Sequence, residues 1–471
     1  MRSTGASSRH GRSFTGSDSF WLRMDAPTNL MMISAVLLFE QPLDHARLRR
    51  VVRERLLPVD RFRDRVVRAA DGTARWERHP ALDLDQHLVV LRLPEPADEA
   101  ALCAAVGRLM SEPLDPSRPL WQFHLIERYG TGSALIGRFH HCLGDGLGMM
   151  IALLAMSDLD PDGGATTGDR ANPFLALLRN PGEGTDRVRR GLEQIMPEGT
   201  RLLLRPGEAL RRLGPLKRTT AASLALARLV FRRPDRRTLF NAELGVAKRA
   251  AWSRRIPVER VKGVRDAIGG TVNDILLTAM AGGIRRYVVA RDGEAGCMDF
   301  RATVPVNLRP IEQLAAMGNE FGLVYLRLPI AIADPIERLA ELRRRMEPLK
   351  RSAEALVVLR LIATIGRLPE FAQRQAVRLF ASKATSVMTN VPGPIRTLYL
   401  AGRPVADLIF WVPRSGGLSL GVSIMSYAGN VRLGVATDAG LVPDPERIVE
   451  GFDAEFAAMM QLRCSPDGRP R

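Results

Sequence analysis

Cysteine is scarce: the 471 residues hold four, Cys103, Cys142, Cys297 and Cys464, far apart and with no Cys-x-x-Cys pair. That spacing excludes a disulfide framework and the common structural zinc sites, and it predicts a reducing, cytosolic compartment. Histidine is absent from everything beyond position 141; all seven, from His10 to the pair His140 and His141, lie before that point. Imidazole chemistry is therefore confined to the N-terminal part. Apolar runs are short. The longest, such as Met31 to Phe39 and Gly146 to Met156, fall well below the roughly 18 to 20 residues that span a bilayer, so no transmembrane helix is predicted. The opening MRSTGASSRHGRSF is basic but is followed by no compact apolar core with a small-residue cleavage site. It is expected to be a leader segment and not a secretory signal.

What is present is ordinary globular composition, 46% hydrophobic and 25% charged, with a formal charge of +17 from 68 basic and 51 acidic residues. Disordered and fibrous classes are excluded, and the length predicts two to four domains. The pattern is mixed α/β. Leu30 to Phe39 reads as a strand, Ala46 to Leu56 as a helix and Ala134 to His140 as a strand. After a break-rich stretch the mixture resumes. Thr271 to Val288 reads as a helix, Arg301 to Asn307 and Leu323 to Pro329 as strands, and Glu354 to Ile365 as an apolar helix. Leu418 to Tyr427 and Val431 to Thr437 read as a hairpin. The last helix is expected to start at Asp444 and Pro445, with Ile448, Phe452 and Phe456 along one face. We divide the chain into an N-terminal lobe at 15–180, a basic helical connector at 181–250 and a C-terminal lobe at 251–465.

The connector concentrates the charge. Between Arg187 and Arg237, 13 arginines and Lys217 face only Glu193, Glu198, Glu208 and Asp235, a surplus of ten. Such a run is either a solvated helical surface or an attraction to anionic headgroups. Nucleic acid is not expected, because no recognition motif accompanies the charge. Two segments could meet lipid, EALVVLRLIATI at Glu354 to Ile365 and AASLALARLVF at Ala221 to Phe231, although core burial explains the same apolar spacing.

The sharpest motif is Phe139, His140, His141, Cys142, Leu143, Gly144, Asp145, Gly146, placed where a strand ends and a helix begins. Neighbours on a strand point to opposite faces, so one histidine should face the interior and the other an open cleft. A neutral imidazole there suits a general base near pH 7. Asp145 either orients the site, neutralises a cation or simply caps the following helix. Zinc is not expected, since adjacent histidines splay apart and no third ligand is evident; Cys142 reads as packing. Gly417, Ser419 and Gly421 match G-x-S-x-G, but no histidine follows Ser419 and the segment continues as a strand, which excludes a nucleophile elbow.

These residues, together with Pro119, Leu120 and Trp121 upstream, Asn273 and Asp274 in GGTVNDILL, PVNLRP at 305–310, GNEFG at 318–322, NVPGP at 390–394 and the opening SFWLRMDAPTNLMMISAVLLFE, resemble the bacterial wax ester synthase/diacylglycerol acyltransferase family, in order and over nearly the whole chain. The resemblance implies an α/β fold of two chloramphenicol-acetyltransferase-like lobes with an active-site tunnel between them. It also implies acyl transfer from fatty acyl-CoA to the hydroxyl of diacylglycerol, and also of long-chain alcohols. His141 would then be the general base, with His140, Asp145 and Gly146 in supporting positions. Asn273, Asp274, Pro119, Leu120 and Trp121 would shape the site, although Thr271 with Asp274 also fits a helix cap and Pro119 to Trp121 a turn with a core tryptophan. GNEFG reads as a scaffold loop with glycines at special backbone angles, and NVPGP as a scaffold turn. No metal or cofactor is implied, acyl-CoA being a substrate. An insoluble acceptor further implies a cytoplasmic enzyme at a membrane or lipid-droplet surface. The rival readings are a condensation-type acyltransferase using a carrier-protein thioester and a catalytically silent lipid-binding relative.

Overall fold

The computed structural model describes residues 12–69, 73–160, 174, 215–236, 238–293, 299–308, 317–350, 352–414 and 417–462. Cys297, Cys464 and most of the basic stretch from Arg187 lie outside these residues, as does the end of PVNLRP. Two sheets organise the rest. The first has five strands in the order Asp407–Trp411, Met32–Phe39, Gly132–His140, Trp121–Tyr129 and Leu88–Val90. The second runs Phe321–Arg327, Arg301–Asn307, Ser386–Pro392, Leu420–Tyr427, Asn430–Asp438 and Lys248–Trp252. Sheet membership thus departs from the division made by sequence: Asp407–Trp411, well inside 251–465, completes the N-terminal sheet by pairing with Met32–Phe39. The last residues of 181–250 already begin strand Lys248–Trp252 of the second sheet.

Met32–Phe39 is apolar at nearly every position because both of its faces are covered. Ile33, Ala35 and Leu37 face a cavity that helix Gly146–Met156 also lines through Met149, Met150 and Leu153. Val36 and Leu38 instead pack with Leu102, Val106 and Leu109 of helix Glu99–Ser111. That helix also touches the second sheet, since Trp252 and Ala436 join the same cluster. The second sheet is covered by helices Val272–Asp292 and Pro445–Gln461, and the fourfold spacing places Ile448, Phe452 and Phe456 in its core as expected. Burying each of these side chains contributes roughly 1.5 to 3 kcal/mol.

Helix Glu354–Ile365 matches its expected bounds, and of its two readings, facing lipid or packed in the core, the structure shows the second. Val357, Val358, Ile362 and Ile365 are buried, and Glu354 is held by Arg232 at 3.0 and 2.9 Å. It is a core helix, pressed against strand Phe321–Arg327. The contact at Gly322 is so close that a Cβ there would lie 1.9 Å from the Ala355 carbonyl oxygen. GNEFG therefore needs its second glycine for this approach; neither Gly318 nor Gly322 is among the residues of positive φ. No single described helix is long and apolar enough to cross a membrane. The pair Val258–Ile268 and Val272–Asp292 reaches that length only jointly, bent by 91°.

Candidate active site

Strand Gly132–His140 ends because His141–Leu143 turns into a 3₁₀ segment and Asp145 caps helix Gly146–Met156, its Oδ1 accepting the Gly148 N–H at 2.9 Å. The histidines leave this turn in different directions. His140 Nδ1 accepts the Cys142 N–H at 3.1 Å, so that nitrogen carries no proton, and its Nε2 lies 3.6 Å from Asp25 Oδ1. Its backbone N–H donates to the Leu120 carbonyl at 2.9 Å, which places Pro119 to Trp121 behind His140. Trp121 is buried, stacks on His87 at 4.3 Å and donates Nε1–H to the Phe62 carbonyl at 2.9 Å. It acts as core scaffold.

His141 is not in an open cleft: it is only 4% exposed, as is His140. Its ring lies nearly parallel to Trp21, at 4.2 Å and 14°, and against Phe321 at 5.5 Å. Its backbone N–H donates to the Met31 carbonyl at 2.7 Å. Nδ1 donates to Asn319 Oδ1 at 2.8 Å. The amide direction is fixed by its other end, where Asn319 Nδ2 donates to the His141 carbonyl at 2.9 Å and to Asp18 Oδ1 at 3.2 Å. An amide whose nitrogen faces a carboxylate must offer its oxygen to the ring. His141 therefore carries its proton on Nδ1 and leaves the Nε2 lone pair free for a reacting proton. Asp18, fully buried, also receives Arg61 at 3.1 Å and shares a capping box with Thr15 at the start of helix Gly16–Met24. Arg61 reaches on to the Cys142 carbonyl at 2.9 Å and lies over Trp76. Burial pushes the His141 pKa below its ordinary value, outweighing its own backbone carbonyl, Asp145 and Asn319, which all act upward. The ring is neutral at pH 7.

Asn319 arrives from the C-terminal half on the stretch 317–320, and Asp145 is what fastens it. Asp145 N–H donates to the Gly318 carbonyl at 3.1 Å, and Asp145 Oδ2 accepts the Glu320 N–H at 3.2 Å. The aspartate is thus both helix cap and clasp. Gly144 faces Met317, whose methyl group a Cβ would meet at 3.3 Å. Gly146 faces open space and lines the apolar cavity under Met32–Phe39 together with Phe139 and Met149. A second apolar cavity lies on the Trp21 side, lined by Phe20, Trp21, Leu323, Val358, Ile362 and Phe380 among others. Apolar space therefore borders residues in contact with His141 and residues flanking it in sequence.

Asn273 and Asp274 stand elsewhere in the hydrogen-bond network. Asn273 Oδ1 accepts from Asn390 of NVPGP at 2.5 Å, which joins two of the sequence motifs. Asp274 shares a capping box with Thr271, at 2.9 and 3.2 Å, at the start of Val272–Asp292. Neither has a recorded contact with His141. Ser419, immediately before strand Leu420–Tyr427, is fully buried and donates to the Phe240 carbonyl at 2.5 Å. Cys142 packs in the N-terminal core. Among the described residues no group of three or more His, Cys, Asp or Glu side chains is gathered to hold a metal. Reading the sequence as motifs missed Trp21, Asp18, Asn319 and Phe321 as neighbours of His141. The only signal was the position of Asn319 and Phe321 inside GNEFG and of Trp21 inside the opening block, with Asp18 immediately before it.

The model of the wax ester synthase/diacylglycerol acyltransferase catalytic domain matches residues 14–276, and that of the corresponding C-terminal domain matches residues 317–460. A probable diacylglycerol O-acyltransferase of Mycobacterium tuberculosis is 27% identical over 441 residues, 92% of each chain. A second from that organism is 28% identical over 468 residues, covering 94% of this chain and 98% of the relative. Among solved structures, the wax ester synthase/diacylglycerol acyltransferase of Marinobacter aquaeolei VT8 superposes with a TM-score of 0.68 at 23% identity, over 95% of this chain and 98% of that one. The first condensation domain of the calcium-dependent antibiotic synthetase gives 0.60 at 15% identity over 99% of both chains, a likeness of fold.

Proposed function

The chain belongs to the wax ester synthase/diacylglycerol acyltransferase family and is an O-acyltransferase; on that premise we propose how its residues carry the reaction. A fatty acyl-CoA places its thioester carbonyl beside His141, and the hydroxyl of diacylglycerol or of a long-chain alcohol approaches Nε2. Nε2 takes the hydroxyl proton as the oxygen attacks the carbonyl carbon, giving a tetrahedral intermediate. Collapse of that intermediate breaks the carbon–sulfur bond, and the imidazolium returns its proton to the departing thiolate as CoA-SH. Ester and free CoA are the products, with no covalent enzyme intermediate. Asn319 keeps Nδ1–H in place throughout, and Trp21 and Phe321 keep water from the ring. The observation that carries this reading is the His141 to Asn319 hydrogen bond, which leaves one nitrogen of a buried neutral ring free.

Two apolar cavities, one walled by Trp21, which stacks on His141, and one by Phe139 and Gly146, support an apolar ligand near the base. Asn273 and Asp274 act on the site from a distance, as positioning residues. A water-insoluble acceptor places the working enzyme at a membrane or lipid-droplet surface in the cytoplasm. The test is CoA release from palmitoyl-CoA with diacylglycerol or hexadecanol, comparing the wild type with His141→Ala and identifying the lipid product. Triacylglycerol or wax ester should form only with the wild type, and rate should fall roughly 100- to 10,000-fold on losing the base. A folded His141→Ala variant of full activity would refute the mechanism.

A further inference from the structure

A buried ion pair stands one step behind the base. Asp18 has no exposed surface, and among the described residues its ion-pair partner is Arg61, at 3.1 Å, whose own side chain is 13% exposed. The two carboxylate oxygens divide their duties. Oδ2 accepts from Arg61 and, at 3.5 Å, from the Thr15 N–H, while Oδ1 accepts from Asn319 Nδ2 at 3.2 Å. Arg61 reaches the base by a second route. Its Nη1 donates at 2.9 Å to the carbonyl of Cys142, the residue after His141, while Nη2 holds Asp18. One guanidinium fork thus grips the backbone beside the ring and the carboxylate behind the ring's partner. The pair joins helix Gly16–Met24, the 3₁₀ turn Asp60–Phe62, the turn His141–Leu143 and the stretch 317–320.

Such a pair is a poor device for stability alone, because desolvating two charges cancels most of their attraction and apolar residues of similar volume do as well. What it supplies is direction. His141 meets the Asn319 amide with Nδ1 and with its own carbonyl, and a ring nitrogen donates or accepts according to its tautomer. A reversed amide would donate from Nδ2 to Nδ1, the ring proton would sit on Nε2, and no lone pair would face the acceptor hydroxyl. Reversal would also turn Asn319 Oδ1 toward the His141 carbonyl and the Asp18 carboxylate, oxygen against oxygen. Arg61 keeps that carboxylate compensated and leaves its Oδ1 for Asn319.

We propose that Asp18 and Arg61 are positioning residues for acyl transfer: together they fix the Asn319 amide and, through it, the Nδ1–H tautomer of His141. The same carboxylate steadies the imidazolium formed when Nε2 takes the hydroxyl proton. The effect on rate rests on the acyl-transfer reading; the tautomer does not.

Asp18→Asn keeps the shape but puts an NH2 group where Oδ1 was, since Arg61 and the Thr15 N–H hold the remaining oxygen. The Asn319 amide should then reverse. Nitrogen NMR of protein labelled in its histidine rings, with the His141 signals identified by their loss in His141→Ala, should place the ring proton on Nδ1 in the wild type and on Nε2 in Asp18→Asn. The kcat should fall roughly 100-fold, with KM for palmitoyl-CoA within about twofold. Adding Arg61→Met lets the new amide turn its oxygen to Asn319, and the double variant should regain the Nδ1 proton and about tenfold of the lost rate. A merely stabilising pair would lower the melting temperature of Asp18→Asn and leave the tautomer as it was. That result overturns the proposal, and so does a wild-type ring protonated on Nε2. If Asp18→Asn does not fold, Asp18→Ala with Arg61→Met asks the same question without a buried charge. It leaves Asn319 Nδ2 no acceptor at position 18, so the ring should be a mixture of tautomers; an unmixed Nδ1 proton overturns the proposal. A wild type with its proton on Nδ1 that releases no CoA would overturn the reaction and leave the positioning standing.

Discussion

The N-terminal half holds His141 by its backbone, at the end of a sheet strand and under Met31, whereas the C-terminal half holds it by its proton, through the amide of Asn319. The first constraint is rigid and built from ladder hydrogen bonds. The second crosses 178 residues of sequence and depends on the clasp between Asp145 and residues 318–320. A ring held this way keeps its proton on Nδ1 only when both halves are in register. The glycine contact of Gly366 on Gly16 serves that register by letting backbones of the two halves meet where any side chain would separate them.

The sharpest way to break the comparison is at Asn319. Asn319→Ala removes the acceptor for Nδ1–H, and steady-state kinetics should show kcat lower by roughly 100-fold, with a folded protein by circular dichroism. Asn319→Asp should do no better. It would accept from the ring but set a carboxylate against Asp18, which now receives Asn319 Nδ2 at 3.2 Å. Recovery of activity in the aspartate variant would show that charge, and not amide direction, is what His141 needs.

A smaller effect concerns pH. Burial holds His141 below its ordinary value, so its neutral, working form persists as pH falls through 6.5. Initial rates should change little between pH 7 and pH 6, while a ring titrating at about 6.5 would lose roughly threefold over that interval. An acid limb centred at or above 6.5 would contradict a dry environment for the base.

The smallest change in rate is expected at Thr271. Removing its hydroxyl undoes the capping box with Asp274 at the start of Val272–Asp292. Thermal or urea unfolding should register a loss of about 1 kcal/mol, with kcat nearly unaltered. A matching loss of rate would place Asp274 in the chemistry and make the two halves more alike than their hydrogen bonds suggest.

Much of this was legible in the chain. Alternation and capping located Met32–Phe39, Gly132–His140, Arg301–Asn307 and Pro445–Gln461 to within a few residues, because each answers to a local period or a local cap. Short-range grammar also offered capping as one of the readings of Asp145 and Asp274. What it could not reach was partnership. GNEFG looked like a scaffold loop because nothing near Asn319 in sequence says that it meets a histidine 178 residues earlier. Helix Glu354–Ile365 looked as suited to lipid as to a core, since apolar residues carry no mark of what covers them. Glu370–Ala381, with Phe371 and Leu379 outward, went unremarked because its mean character is polar and only the packing reveals which apolar residues are left over.

The strand Asp407–Trp411 has a consequence for how the protein can be taken apart. It sits beside Met32–Phe39 from Ser34 to Leu38, pairing Trp411 with Ser34 and Asp407 with Leu38. A fragment ending before it would leave a long apolar strand with its hydrogen-bonding edge bare, an invitation to pair with other chains. The halves are therefore interlocked by one borrowed strand, and a cut between them would separate two sheets only by leaving one unfinished.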